Sequence, residues 1–383
     1  MTTPIYLDYN ATTPIAPEVA AAIRPWLETD YGNPSSGHAY GQSALAAVAQ
    51  ARTDVAALVG ARAGEIVFTG NATEANNLAL LGVARALPHK RHLIVSAVEH
   101  PAVMQPALHL RDELGWDISI VPVDETGRTH AAAVAALLRP DTALVSVMLA
   151  NNEVGTLQPV AEIAALAHAN GTLMHTDAAQ AAGKLPVLVD MLDVDLLTLA
   201  FHKFYGPKGI GALYVRKGTP LKPILFGAGQ EHGLRPGTEN VALIVGAGET
   251  ARLAHARLSQ SAAHLAALRD RLWQALVAGV PGLQLNGHPD YRLPNTLHVS
   301  FPGVSGKAVL TEAASVVAAS VGSACHAQGD AVSGVLAAMG CDAARARGAV
   351  RLSVGRETAV EDIEHAAAAL IAAWRALAPD RAS

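Results

Sequence analysis

Between residues 65 and 215 the chain alternates short β-rich runs with small-residue, helix-prone stretches, and this alternation restricts the fold more than any other feature. The runs are Glu65-Ile-Val-Phe-Thr, His92-Leu-Ile-Val-Ser, Ile118-Ser-Ile-Val-Pro, Ala143-Leu-Val-Ser-Val-Met-Leu, Thr172-Leu-Met-His-Thr-Asp, Asp195-Leu-Leu-Thr-Leu and Ile210-Gly-Ala-Leu-Tyr-Val. Strand and helix in strict succession predict an α/β fold in which a mostly parallel sheet of seven strands is covered by helices. The apolar half of the sequence lies chiefly in Ala, Leu and Val, with only 4% aromatic residues, which suits helices packed on a buried sheet. Residues 241–279 read as long Ala-rich helices. Pro281-Gly282 and Asn286-Gly287 then punctuate the chain before a new mixed pattern begins at Leu297-His-Val-Ser-Phe. A length of 383 residues fits a large domain followed by a smaller α+β one.

Charge and composition remove several function classes. The net charge is −5, with acidic and basic residues interspersed, so no basic face is available for nucleic acid and no polybasic anchor for a membrane. The N-terminal MTTPIYLDYNATTPIAP lacks a charged segment followed by an apolar one, and nothing approaches roughly 20 uninterrupted apolar residues; a cytoplasmic location is expected. Only Cys325 and Cys341 occur, too few for a disulfide framework, and a reducing compartment leaves both as thiols. The 16 histidines show no ligand spacing, so no metal site is expected.

In open α/β sheets, ligands bind beyond the carboxyl ends of the strands, and several polar residues stand there. Phe68-Thr-Gly-Asn-Ala-Thr-Glu-Ala-Asn ends a strand and opens a helix whose free N–H groups, with the Thr73 hydroxyl, form a seat for an anion; an ordinary turn capped by Asn71 or Thr73 is the competing reading. Asp177, followed by Gln180, closes another strand, where a carboxylate either caps the next helix or pairs with a protonated pyridine nitrogen. Lys203, in Phe201-His-Lys-Phe-Tyr-Gly-Pro-Lys-Gly, follows the next strand, about 4.8 Å away if the two are neighbours, with Lys208 as its competitor. A desolvated lysine amine forms Schiff bases readily. Cys325 sits in a Gly- and Ser-rich stretch that reads as a mobile loop suited to a nucleophile, whereas Cys341 before a helix reads as a buried apolar thiol.

Together these stretches resemble the cysteine desulfurase and selenocysteine lyase family of class V, fold-type I, pyridoxal-phosphate (PLP) enzymes. Six motifs carry the resemblance, in the family's order: Tyr6-Leu-Asp-Tyr-Asn-Ala-Thr-Thr-Pro, Gly32-Asn-Pro-Ser-Ser, Asn151-Asn-Glu-Val-Gly, His202-Lys-Phe-Tyr-Gly-Pro-Lys-Gly, Arg235-Pro-Gly-Thr-Glu-Asn and Gly322-Ser-Ala-Cys. The resemblance implies a large PLP-binding domain of residues 15–255 and a small domain of residues 1–14 and 256–383 carrying the cysteine loop. It also implies that Lys203 forms the Schiff base with the cofactor, Asp177 pairs with the pyridine nitrogen and His100 stacks on the ring and assists proton transfer. Asn152 and Gln180 would contact the phenolic oxygen, while Ala72, Thr73 and His202 hold the phosphate. Thr238 would reach in from the second subunit of a homodimer. Arg351 would clamp the substrate carboxylate. The chain departs from the family at Ala200-Phe201, where many desulfurases have Ser-Gly; one phosphate-binding hydroxyl is missing, and slightly weaker cofactor retention is expected.

The activity so implied is conversion of L-cysteine to L-alanine, with sulfur passing to Cys325 as a persulfide and on to an acceptor protein or thiol. Met148-Leu-Ala-Asn-Asn-Glu, His175-Thr-Asp-Ala-Ala-Gln, Phe226-Gly-Ala-Gly-Gln-Glu, Arg292-Leu-Pro-Asn-Thr and Ala319-Ser-Val-Gly-Ser-Ala-Cys-His lean towards the selenocysteine lyase branch, which releases selenium from L-selenocysteine. An aminotransferase would need Lys203 and Asp177 but no thiol, so Cys325 argues against it. A non-catalytic PLP-binding role would leave the full set of reactive residues without purpose.

Overall fold

The computed structural model describes residues 3–322 and 333–378 of the chain, and Cys325 lies outside them. Twelve strands occur among the described residues. The first, β1 (Ile5–Tyr6), belongs to a small sheet; the next seven build the large one. These are β2 (Ile66–Thr69), β3 (His92–Ser96), β4 (Asp117–Val121), β5 (Thr142–Ser146), β6 (Leu173–Asp177), β7 (Leu196–Ala200) and β8 (Gly211–Val215), in the spatial order β2-β8-β7-β6-β5-β3-β4. Each of the seven runs read from the sequence becomes one of these strands. All pairings are parallel except those of β8, which runs antiparallel to both β2 and β7. Strands β3, β5 and β7 are buried along their full length, as expected of a sheet covered on both faces, while the edge strand β4 keeps exposed positions.

One strand is shorter than its sequence pattern. The apolar run continues to Leu149, but β5 stops at Ser146. Its neighbour β3 has already ended at Ser96, so the Met148 N–H has no ladder partner there and donates instead to Glu99 Oε1 at 2.8 Å. A buried backbone donor needs an acceptor, and here a side chain supplies it.

The stretch 241–279 is one helix of 39 residues rather than several, Val241–Gly279, started by Asn240, whose side chain accepts from Leu243 N. Gly248 does not break it. A Cβ there would lie 2.5 Å from the Ala51 Cα, so the glycine permits close contact with the helix Ala39–Val59. The first part of the long helix packs on the large core through Val241, Ile244, Ala247 and Ala251. Its second part joins Leu265, Leu268, Leu272 and Leu276 to a separate core with Leu7, Phe301, Val350 and Trp374. That second core lies on a three-stranded antiparallel sheet of β9 (Gln284–Asn286), β10 (Thr296–Ser300) and β12 (Ala349–Ser353), ordered β12-β10-β9. In the two-stranded sheet, β1 pairs in parallel with β11 (Val317–Ala318). No helix among the described residues is long and apolar enough to cross a membrane.

Candidate active site

The carboxyl ends of β2, β3, β5, β6 and β7 surround a cavity of about 270 Å³, closed on the far side by Asn10 and Ala11 from the N-terminal segment and by Arg351 from β12. Ala72, Thr73, His100, Asn152, Asp177, Gln180, His202, Lys203 and Arg351 all line it. Of the described residues to which the resemblance gives a role, Thr238 alone is not in this wall. Thr238 is exposed elsewhere on the chain, and Cys325 is outside the described residues.

At one end of the cavity the helix Ala72–Ala86 begins. Asn71 caps it, its Oδ1 accepting from Glu74 N at 2.9 Å, as the capped-turn reading expected, while Ala72 and Thr73 line the cavity. The first N–H groups of a helix have no intrahelical acceptor and carry its positive pole, which suits a phosphate. His202 lies on the same wall, with Nδ1 3.2 Å from the Thr12 hydroxyl. Burial, followed by the nearby Lys203, Lys208 and Lys184, pulls its imidazole down to about 4, so it stands neutral at pH 7.

At the other end Asp177 is almost fully buried. No helix follows it; residues 179–184 form turns, and Asp177 Oδ1 accepts from Ala179 N at 2.9 Å. Its Oδ2 accepts from Asn76 Nδ2 at 2.7 Å, a partner the sequence did not disclose because 101 residues separate the two. The neighbouring β7 carries Lys203 to the same cavity, where Nζ donates to the Asn10 and Ala11 carbonyl oxygens at 2.8 and 2.9 Å. Lys208, its rival, is exposed.

His100 precedes the helix Pro101–Leu114 and caps it: Nδ1 accepts from Ala102 N at 3.0 Å. Burial chiefly lowers its basicity, with Asp177 and Glu153 opposing and Lys203 reinforcing the effect. A neutral ring that accepts at Nδ1 carries its proton on Nε2. Behind it, burial pushes the Glu99 carboxyl up to about 8 despite hydrogen bonds from Ser96 Oγ and Met148 N.

Arg351 is buried, and Nη2 donates to Asp8 Oδ1 at 2.7 Å while Nη1 donates to the Asn152 carbonyl at 3.0 Å. Among the described residues its Nε has no partner. The backbone of Arg351 also exchanges two hydrogen bonds with Ser320, five residues before Cys325.

A family model described as aminotransferase class V matches residues 5–365. A cysteine desulfurase IscS of Dictyoglomus turgidum is 42% identical over 94% of this chain and 92% of its own length. The chain belongs to the class V, PLP-dependent cysteine desulfurase family. Among solved structures, a NifS-like protein superposes on this family member with a TM-score of 0.92 at 36% identity, covering 98% of this chain and 100% of its own. SspA in complex with cysteine gives 0.81 at 37% identity, covering 91% and 98%.

PLP is therefore the cofactor of this desulfurase family member, and the cavity wall fits it. A lysine amine, a buried carboxylate and a helix N-terminus stand around one space, matching the aldehyde, ring nitrogen and phosphate of the group. Ala200 lines the same wall with no hydroxyl to offer, and Phe201 beside it packs into the core, its ring 5.6 Å from that of Phe204.

Proposed function

We propose that this desulfurase takes the sulfur of L-cysteine onto Cys325 as a persulfide and releases L-alanine. The observation that carries the reading is the convergence of Lys203, Asp177 and Arg351 on one cavity, the first two from the carboxyl ends of neighbouring strands and the third from the middle of β12. PLP, when bound, supplies the electron sink that lets a Cα–H bond of the substrate break.

The rest falls to side chains. Lys203 holds the cofactor and, once the substrate amine has replaced it, takes the Cα proton. Asp177, kept in place by Asn76 and the Ala179 amide, pairs with the protonated ring nitrogen. His100 stacks on the ring and offers its Nε2 proton. Ala72, Thr73 and His202 hold the phosphate, Asn152 and Gln180 meet the phenolic oxygen, and Arg351 grips the substrate carboxylate. The Cys325 thiolate then attacks the substrate sulfur: an S–S bond forms, the C–S bond breaks, its electron pair stays with the carbon fragment, and protonation of that fragment yields alanine.

The assembly proposed is a homodimer in which Thr238, exposed on one subunit, completes the phosphate site of the other. The division into residues 15–255 and residues 1–14 with 256–383 is proposed likewise, supported by the two separate cores along the long helix. The name IscS carried by relatives favours an acceptor in iron–sulfur cluster assembly.

Alanine release from L-cysteine and from L-selenocysteine, measured for the intact enzyme and Cys325→Ala, tests the reading. Release from cysteine that Cys325→Ala abolishes while the protein keeps PLP supports it. Undiminished release from cysteine by that variant overturns the persulfide route, and release confined to selenocysteine makes the chain a selenocysteine lyase.

A further inference from the structure

Lys184 is a lysine that the reaction does not use, yet its side chain is buried beside the one that does. The turns after Asp177 deliver it inward. Gly183 takes a positive φ of 74°, and a Cβ there would meet the Phe204 Cβ at 2.6 Å, so the chain passes tightly under the Lys203 turn and leaves Lys184 on its inner side. Both lysines border a small cavity of about 40 Å³ behind the active site. No carboxylate among the described residues forms an ion pair with Lys184; its Nζ donates to Gln180 Oε1 at 2.9 Å. Gln180 Nε2 in turn donates to the Asn10 carbonyl at 2.9 Å, and that same oxygen accepts from Lys203 Nζ at 2.8 Å.

While Lys184 keeps its proton, the amide of Gln180 is thus held at both ends by groups of fixed polarity. A flip would put its oxygen against a carbonyl oxygen and its NH₂ against an amine, losing two hydrogen bonds in a buried place. Gln180 also lines the active-site cavity, with a second N–H beyond the one given to Asn10. We propose that Lys184 is a positioning residue that locks Gln180 as a donor towards the cofactor's ring hydroxyl and, by its charge, lowers the proton affinity of the Schiff base at Lys203; this rests on the reading that Lys203 carries PLP.

Burial, then Lys203 and Arg351, pull the Lys184 amine down to about 7, so it carries its full charge only on the acid side of neutrality, and its effect on the Schiff base is read there. The other charged or titratable groups around the lysine pair are Asp177, His100 and Arg351 in the active site, Glu153 beyond His100, and His202 and Lys208 on the Lys203 turn. Tyr9, Tyr205, Arg257 and Arg356 lie around the small cavity. A change seen on substituting Lys184 therefore has to be separated from theirs.

The test is a spectrophotometric pH titration of the PLP-loaded protein, following its visible Schiff-base band in Lys184→Met, Gln180→Ala and the double variant. Lys184→Met is expected to raise the pKa of that band by about half a unit or more, since a nearby cation and a donor to the phenolic oxygen are both lost. Gln180→Ala should raise it too, and the double variant should exceed Gln180→Ala by less than the Lys184→Met shift. An unchanged titration in Lys184→Met, or full additivity in the double variant, overturns the proposal. Should Lys184→Met fail to fold, Lys184→Leu makes the same comparison, since it too removes both the charge and the donor to Gln180. Lys203→Ala is the control on the reading beneath: if the band survives in that variant, Lys203 does not carry the cofactor, and that failure is distinct from failure of the Lys184 proposal.

Discussion

Asp8, near the start of the chain, accepts a 2.7 Å hydrogen bond from Nη2 of Arg351, 343 residues later, so the guanidinium proposed to receive the substrate carboxylate already faces a carboxylate of the protein. Arg351 is almost fully buried, and its other nitrogens have only the Asn152 carbonyl between them among the described residues. Asp8 therefore orients the cation and keeps it from standing unpaired. Asp8→Ala should raise KM for L-cysteine about tenfold, the worth of one charge-assisted hydrogen bond. Its Tm should fall as well. Asp8→Asn retains an acceptor and should move KM much less; equal effects of the two substitutions in steady-state kinetics would show that Asp8 acts by charge alone.

Ala200 lines the cavity wall without a hydroxyl. Ala200→Ser should tighten PLP binding about three- to tenfold, in keeping with a net hydrogen bond of roughly 1 kcal/mol. Equilibrium dialysis of the two proteins against PLP measures this, and equal dissociation constants would mean that the helix N-terminus and His202 already saturate the phosphate.

Lys208 sits exposed five residues after Lys203. Lys208→Ala should leave the visible cofactor absorbance and alanine release within about twofold of the parent, as for an ordinary surface substitution. Lys203→Ala should lose both. Absorption spectra of the two purified proteins distinguish them directly.

The buried Glu99 carboxyl, raised from its ordinary range to about 8, binds a proton in the folded state that the unfolded chain releases near 4.5. Between these values the folded state holds more protons, so stability is lost as pH rises towards 8 and beyond. Glu99→Gln keeps an acceptor for Ser96 and Met148 but removes the ionisation. The Tm advantage of Glu99→Gln over the parent should therefore grow from pH 5 to pH 9. His175 and His202, held near 4 by burial first of all, act in the opposite direction: the unfolded chain takes up their protons near 6.5, so their contribution is lost as pH falls from there to 4. A Glu99→Gln advantage that does not change with pH would place the Glu99 proton elsewhere.

The large sheet was legible because its strands are covered on both faces, so β3, β5 and β7 stand out as short apolar runs between helical stretches. Asp177 and Lys203 were legible for the same reason, since the first closes such a run and the second follows one within three residues. Asn76, Asn10 and Lys184 were not. Asn76 lies inside a helix and Lys184 beyond a turn, and their roles come from contacts with Asp177 and Gln180 that no periodicity announces. Glu99 stands beside His100 in the sequence, but its acceptance of the Met148 N–H depends on where β3 stops, a property of two strands rather than one. The merging of the Ala-rich stretch into one helix was likewise hidden, because Gly246 and Gly248 look like interruptions until the residues packed against them are known.

That helix, Val241–Gly279, is about 58 Å long at 1.5 Å per residue and is gripped near its two ends by different cores. It works as a beam clamped at both supports, with no proline inside it to serve as a joint. Any swing of one core against the other would have to bend this helix. Melting either core strips one clamp from the beam and weakens the other, so heat should undo both in a single calorimetric transition.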